Sequence, residues 1–544
     1  MEILSSTNNL SETRIEIDKN RLKNYFLDSG YYDAQITSSE INLISNNFAN
    51  ITFSISAGNI YKISNIDFID NSKNLNKKNF NDIKKISNKY LNNIYSKKNI
   101  FYLKDKIEDY LISNNIEFVS VSIGEKKEKN NININYIFSS EKKNFINLIN
   151  VKGNSLTEES VVRNNLYFSE GDTISKHKID KSIDKLKATR IFEKVNYKLD
   201  PVKDELVNLD ITVAEQPTGS IGAGVGVSSS GSAISGMISE KNFLGKGIGL
   251  NMDLSLGTEK VSGTARTSLP YFNNTDNTLN NTFYAISKDF TNSGYESKIL
   301  GNDTSITYQP YENIFFTPGV GINSDRVDTN STASALLQSR DGSYTTFKTF
   351  YNVKSDKRNK RFNTTGGHVI GFGQDFGLPG SDIPYVKNNI FGTYYHQLSN
   401  EFILKFDSGV SSINSLNNKD VKLSDRLALN SKKLKGFESF GIGPKDGNDF
   451  VGGNYSAYSS LSSTIPNPFP ENWNAKTSIF VNAGNVWGVD YDASKDVNKI
   501  RSATGVTMDW MSPIGPLSFT LAQPISKANT DATETFSFEI GTAF

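Results

Sequence analysis

FSFEIGTAF, residues Phe536–Phe544, alternates strictly. Phe536, Phe538, Ile540, Thr542 and Phe544 take one face of a strand and Ser537, Glu539, Gly541 and Ala543 the other, because strand side chains change face at every residue. A mostly apolar row set against a small and polar one describes a wall with lipid on one side and a wet interior on the other. Such a wall has to close, since closure alone pairs every backbone N–H and C=O where water cannot reach.

The same period runs back through KTSIFVNAGNVW (Lys476–Trp487), TFYAISKDF (Thr282–Phe290), GTARTSLPYF (Gly263–Phe272) and GIGLNMDLSLG (Gly247–Gly257). In AISGMIS (Ala233–Ser239) neither face is uniformly polar, so that segment is weak by itself. Upstream of Pro217 the chain is rich in Lys, Asn, Ile and Glu; downstream it turns to Gly, Ser, Thr, Phe and Tyr. At about 20 residues for each strand with its turn, residues 217–544 hold roughly 16 antiparallel strands.

Residues 1–216 read as a β-α-α-β-β repeat of α+β character. In the clearest copy, 142–216, FINLINVKGN (Phe145–Asn154) is a strand, Thr157 is an expected N-cap, and Ile179, Ile183 and Leu186 share one helix face. FEKVNYKLD and ELVNLDITVAE close it as two strands bounded by VKD. A second copy spans 59–141, with FYLKDKIEDYLI as its amphipathic helix. A partial copy spans 1–58, lacking most of its first strand and first helix. A period of about 75–85 residues describes domains strung in series.

Composition narrows the function. The 544 residues carry 59 Lys+Arg against 58 Asp+Glu, a net charge of +1, so nucleic acid is not an expected partner. Mean hydropathy is −0.43, and no apolar run is long enough for a transmembrane helix; a barrel escapes that test because its two faces average out. The absence of cysteine excludes disulfides and thiolate metal sites. His177, His368 and His396 are far apart and read as surface or lumen side chains, so no metal and no cofactor is expected. No nucleophile elbow, P-loop or dinucleotide fingerprint marks an enzyme. The start, MEILSSTNNLSETRIEIDKN, has no basic and apolar leader; with the rest of the chain it reads as an N-terminally incomplete form of a longer precursor.

Four stretches, in order, carry a family resemblance. GSIGAGVGV (Gly219–Val227) resembles a glycine-rich first barrel strand, with KNFLGKG (Lys241–Gly247) as its first short turn and SLPYF (Ser268–Phe272) ending the fourth strand. LKGF (Leu434–Phe437) followed by IGP (Ile442–Pro444) resembles a loop folded into the lumen from the outer side. VNAGNVW (Val481–Trp487) and WMSPIGPLSFTLAQPI (Trp510–Ile525) resemble a late strand and a late hairpin. With the C-terminal aromatic Phe544 and the repeats, which resemble POTRA domains, the chain is similar to BamA-type outer-membrane assembly factors over nearly its whole length.

The resemblance implies insertion of other β-barrel proteins into a bacterial outer membrane, with the repeats in the periplasm. It also implies partners: unfolded outer-membrane clients received at repeat edges by strand addition, accessory lipoproteins at the repeats, and membrane lipids. A two-partner secretion transporter or a TamA-like factor is the alternative; the first has a plug helix with no counterpart here, and the late hairpin favours the BamA type.

Several residues depart from the family pattern or stand out within it. Lys435, Gly436, Phe437, Ile442, Gly443 and Pro444 form the lumen-loop motif, with lysine where the family has arginine. The two acids paired with that arginine correspond here to Ser462 and Asn482, and a glycine pair before the motif to Asn430 and Ser431. An ammonium is a point donor and cannot make a planar bidentate contact. Alternation sends Val506, Met508 and Trp510 to lipid and Thr507 and Asp509 to the lumen. Asp509 or Glu539 is therefore expected to replace the missing acids, Asp509 preferentially. In the first strand Ile221, Ala223, Val225 and Val227 face one way and Gly222, Gly224 and Gly226 the other. These glycines either leave room for the lumen loop or loosen a seam with the last strand (Phe536, Phe538, Gly541, Phe544), which would act as a lateral gate.

Overall fold

The computed structural model describes residues 12–541 apart from 46–47, 115, 117, 141–142, 204, 362, 400, 471–472, 474 and 513–514. Phe544 and part of the late hairpin turn therefore lie outside the described residues. The chain divides into two compact units. One comprises Met1–Gly153, Asn165–Ala188 and Phe192–Ala214; the other comprises Glu215–Phe544 with Asn154–Asn164 and Thr189–Ile191.

The first unit is built of α+β repeats. Its middle repeat runs strand Lys62–Asp70, helices Lys77–Ser87 and Lys97–Ser113, and strands Val119–Glu128 and Asn131–Ser140. The last strand lies between the other two, parallel to the first and antiparallel to Val119–Glu128. Ile132, Ile134, Tyr136 and Phe138 alternate inward against Ile100, Leu103, Ile107 and Leu111, one stripe of a helix. Asn76 and Asn79 cap the first helix reciprocally, each side chain accepting from the other's backbone N–H at 2.9 Å.

The next repeat follows the same plan, with strands Phe145–Lys152, Phe192–Lys203 and Leu206–Glu215. Ile179, Ile183 and Leu186 are buried on helix Lys176–Ala188, the face the sequence assigns them. The strand runs on through Pro201 to Lys203, so the expected turn at VKD falls later. Ahead of these, helix Glu12–Asp28 precedes a two-stranded sheet, Gln35–Ser45 with Phe48–Ser56. Leu27 joins the middle repeat's core, and Asp28 accepts from the Lys98 backbone N–H at 2.7 Å in the first turn of helix Lys97–Ser113.

The second unit contains a closed barrel of sixteen strands, from Gly219–Ser228 to Phe536–Gly541, each antiparallel to its neighbours. An even number of antiparallel strands puts the start of the first and the end of the last at one rim. The short turn between Gly231–Phe243 and Ile248–Gly257 belongs to the same rim. Apolar side chains are exposed on the outer wall around the circumference, among them Leu254, Val320, Ile370, Ile390, Leu461 and Leu521. A soluble protein would bury such a band; a lipid-facing wall requires it. Val320 sits midway along Ile314–Thr329 and is 59% exposed. Val320→Arg is expected to destabilise the barrel folded in vesicles by about 2–4 kcal/mol, read by urea titration. An unchanged midpoint would mean that this face does not meet hydrocarbon.

Candidate functional site: the inward loop and the seam

Between strands Ile403–Ser415 and Tyr455–Ile465 the chain makes a long excursion inside the barrel wall. Leu429, Leu434, Phe437 and Ile442 are buried together against Val486 and Ala503 of the wall. Gly436 adopts φ +94°, and a Cβ there would stand 2.9 Å from the Ala503 Cβ, so both conformation and space demand glycine. Gly443, at φ +102°, lies close to Val486 in the same way, and Pro444 follows it, also buried. The loop also pairs along its backbone with the segment before the last strand. The Glu534 N–H donates to the Gly436 carbonyl at 3.1 Å, the Ala532 N–H to Gly441 at 2.8 Å, and the Glu438 N–H to Ala532 at 3.1 Å.

Lys435 enters the barrel interior as expected but does not meet a carboxylate there. Its Nζ donates to Thr507 Oγ1 at 3.0 Å and lies 4.6 Å from the centre of the Phe480 ring. The expected partners are engaged otherwise. Asp509 accepts from Ser518 Oγ at 2.7 Å, and Glu539 pairs with Lys432 at 3.1 Å. The expected direct pair is therefore replaced by a hydroxyl contact, because a flexible ammonium needs only one near acceptor and keeps its charge near the water of the lumen. Lys435, Asp509 and Glu539 nevertheless line one cavity of about 670 Å³, together with Lys288, Lys432 and Glu534. Asn482, at one lost acid position, donates its side-chain amide to the Lys435 carbonyl at 3.2 Å. It thus holds the loop's backbone rather than its charge. Ser431 N–H donates to Ser439 Oγ at 3.1 Å and closes the loop's neck.

The most deeply buried ion pair among the described residues is one the sequence reading missed. Arg501 and Asp531 are both fully buried and paired two-pronged, Nε to Oδ2 at 3.0 Å and Nη2 to Oδ1 at 2.9 Å, with Asn485 Oδ1 and the Lys499 carbonyl taking Nη1. Asp531 lies just before the segment that pairs with the loop. Strand phase was the available signal: Arg501 shares a face with Thr507 and Asp509.

The first and last strands meet along a seam that closes the barrel. Glu539, Ile540 and Gly541 face Ser228, Val227 and Gly226, three residue pairs among the described residues. Other neighbouring strands share from five to fourteen. Gly541 bends at φ +96°. Phe536 and Phe538 stack on one face with ring centres 6.1 Å apart. Ile221 and Val225 face outward, and Gly222 lies under Met237, whose Cγ would stand 2.8 Å from an added Cβ. That glycine makes room for a neighbouring strand's methionine, not for the loop.

Within the second unit, segment Asn154–Asn164 is bound to the first turn. Thr157 is not an N-cap; Glu158 occupies that position in helix Glu159–Arg163, with no side-chain cap. Thr157 is instead buried. Its hydroxyl accepts from Asn242 Nδ2 at 2.8 Å, and the Glu158 N–H donates to the Gly245 carbonyl at 2.8 Å. Glu215 gathers donors from Ser155 Oγ at 2.8 Å, the Leu156 N–H at 3.0 Å and the Thr157 N–H at 2.7 Å. Burial opposes its ionisation, but these donors outweigh burial and hold the carboxyl down to about 2.

Two outcomes follow. In a double-mutant cycle read by urea unfolding, Lys435→Met and Thr507→Val are expected to couple by about 0.5 kcal/mol or more. A larger coupling between Lys435→Met and Asp509→Asn would put the ammonium on the carboxylate instead. For Glu215, a carboxyl held below its ordinary value stabilises above that value and loses its grip as protons return. Hydrogen-exchange protection of the Leu156 and Thr157 amides is therefore expected to be full above pH 4.5 and to fall as pH drops toward about 2. Protection that is flat across this window would remove Glu215 as the holder.

A profile described as the Omp85 superfamily domain matches residues 242–544, and a POTRA profile described as a surface antigen variable number repeat matches 4–58 and 145–216. The chain is similar to an outer membrane protein assembly factor BamA from Nitratidesulfovibrio vulgaris, 24% identical over 99% of this chain and 69% of the relative. It is similar also to the one from Neisseria meningitidis serogroup B, 21% identical over 99% and 74%. The crystal structure of BamA from Haemophilus ducreyi lacking POTRA domains 1–3 superposes with a TM-score of 0.68 at 25% identity, covering 89% of this chain and all of that one. With the superfamily profile covering more than half of its residues and a closed sixteen-stranded barrel behind POTRA repeats, the chain belongs to the Omp85 superfamily.

Proposed function

We propose that this protein folds and inserts β-barrel proteins into the bacterial outer membrane, working as BamA-type assembly factors do. Similarity to BamA over 99% of the chain supports assembly rather than the transport alternative. Within that function, the observation that carries the mechanism is the seam, which holds three residue pairs among the described residues. Separating those pairs leaves two strand edges whose N–H and C=O groups have no water to turn to in lipid. A client strand that pairs with an edge removes that cost, so opening and client capture are coupled. Folding of the client supplies the driving force, and no covalent step is needed.

The repeats, divided at 58, 141 and 216, stand in the periplasm in this reading. Their exposed edges, such as the outer side of Val119–Glu128, receive unfolded clients by strand addition. Accessory lipoproteins and membrane lipids are the other partners. The inward loop, Lys435–Pro444, keeps the lumen side of the seam in shape, because its backbone pairs with the segment that feeds the last strand.

Cysteines test the gate cleanly in a chain that has none of its own. Ser228→Cys with Glu539→Cys places a thiol pair at one register position of the seam. Oxidation is expected to stop client insertion in reconstituted vesicles while the barrel keeps its heat-modifiable migration, and reduction should restore insertion. Undiminished insertion by the oxidised, verified crosslink would rule out the gate.

A further inference from the structure

His177 does not behave as the isolated surface histidine its sequence position suggests. It opens helix Lys176–Ala188, and its side chain is only 13% exposed. Its Nδ1 stands 2.7 Å from Glu108 Oε2, on helix Lys97–Ser113 of the preceding repeat. Glu108 is itself 8% exposed, and its other oxygen takes Lys104 Nζ at 2.8 Å. The second ring nitrogen, Nε2, is buried without a hydrogen-bond partner, 3.6 Å from Asp109 Oδ1. Asp109 is paired with Lys181.

Glu108 Oε2 and His177 Nε2 are both buried without a hydrogen-bond partner, and a buried polar atom left in that state is costly. A cation between Nδ1 and Oε2 satisfies both at once. It takes one lone pair from each of Nδ1 and Oε2, and the Nε2 proton then points at Asp109, the carboxylate behind the imidazole that orients many metal-bound histidines.

A third donor is at hand. Asp105 lies one helical turn before Glu108 on the same face, and one donor atom from each of Asp105, Glu108 and His177 falls within 4.8 Å of the others. We propose that Asp105, Glu108 and His177 form a binding site for a divalent transition-metal cation of the zinc class. Imidazole nitrogen with two carboxylates suits zinc, with a water as fourth ligand, whereas calcium and magnesium favour all-oxygen shells. Binding spreads the Nδ1 and Oε2 pair to about 3.3 Å, the edge of a tetrahedron with ligand distances of about 2.0 Å. The ion ties a helix of one repeat to a helix of the next.

The test uses the full chain folded in detergent micelles, stripped with chelator and titrated at pH 7 with zinc chloride alone. One saturable zinc per chain is expected by calorimetry, undisturbed by millimolar magnesium or calcium. His177→Ala should abolish it. Asp105→Asn, at an exposed position that leaves the fold intact, should weaken it about tenfold. His368→Ala and His396→Ala should leave it unchanged, and circular dichroism should confirm that each variant is folded. No saturable zinc, or zinc retained in folded His177→Ala or undiminished in Asp105→Asn, would overturn the site.

Discussion

Backbone pairing is the constraint on which everything else here rests. In hydrocarbon each unpaired N–H or C=O costs several kcal/mol, so a strand wall has to satisfy its polar groups within itself. Fourteen of the sixteen strand interfaces do so over eight or more residue pairs among the described residues, such as Ile314–Val327 against Gly342–Ser355. The closing interface does so over Gly226–Ser228 and Glu539–Gly541 among the described residues. In the proposed mechanism this is the interface that opens. Glycines at Gly226 and Gly541 sharpen this, since a residue without a side chain adds neither packing nor register to the pair.

The inward loop obeys the same accounting from the other side of the wall. A loop inside a barrel carries backbone groups that need partners, and this one takes them from residues 532–534. Its apolar anchors, Phe437 among them, pack with Val486 and Ala503, and Gly436 lets the backbone come close to Ala503. Charge plays a smaller part at the motif than its basic residue suggests. Lys435 is satisfied by Thr507 and the face of Phe480, while the two-pronged, fully buried pair belongs to Arg501 and Asp531. Breaking a buried pair leaves an uncompensated charge, so this contact fastens the wall to the segment leading into the last strand.

Strand phase, repeat order and barrel size were legible in the amino-acid sequence. Alternation over residues 217–544 and the helical stripes at Ile179, Ile183 and Leu186 are local patterns, each with a period set by backbone geometry. The placement of Thr507, Asp509 and Glu539 on the inner face followed from the same period, and the structure sets all three in one cavity. Thr157 shows the limit of such reading. Its sequence context is that of a helix cap, yet its hydroxyl and amide serve Asn242 and Glu215, which lie 85 and 58 residues away.

The sequence by itself determined strand and helix phase, such as the shared inner face of Thr507 and Asp509 and the buried face of Ile179, Ile183 and Leu186, because phase depends on periods of two and 3.6 residues along one strand or helix. Only the tertiary structure decided who meets whom: Lys435 with Thr507 rather than Asp509, Lys432 with Glu539, Arg501 with Asp531, and His177 with Glu108. Those partners come from separate strands, loops and repeats. Periodicity assigns a side chain to a face, but the acceptor it finds there depends on the stagger between strands and on the path of the loops, which only the closed fold sets.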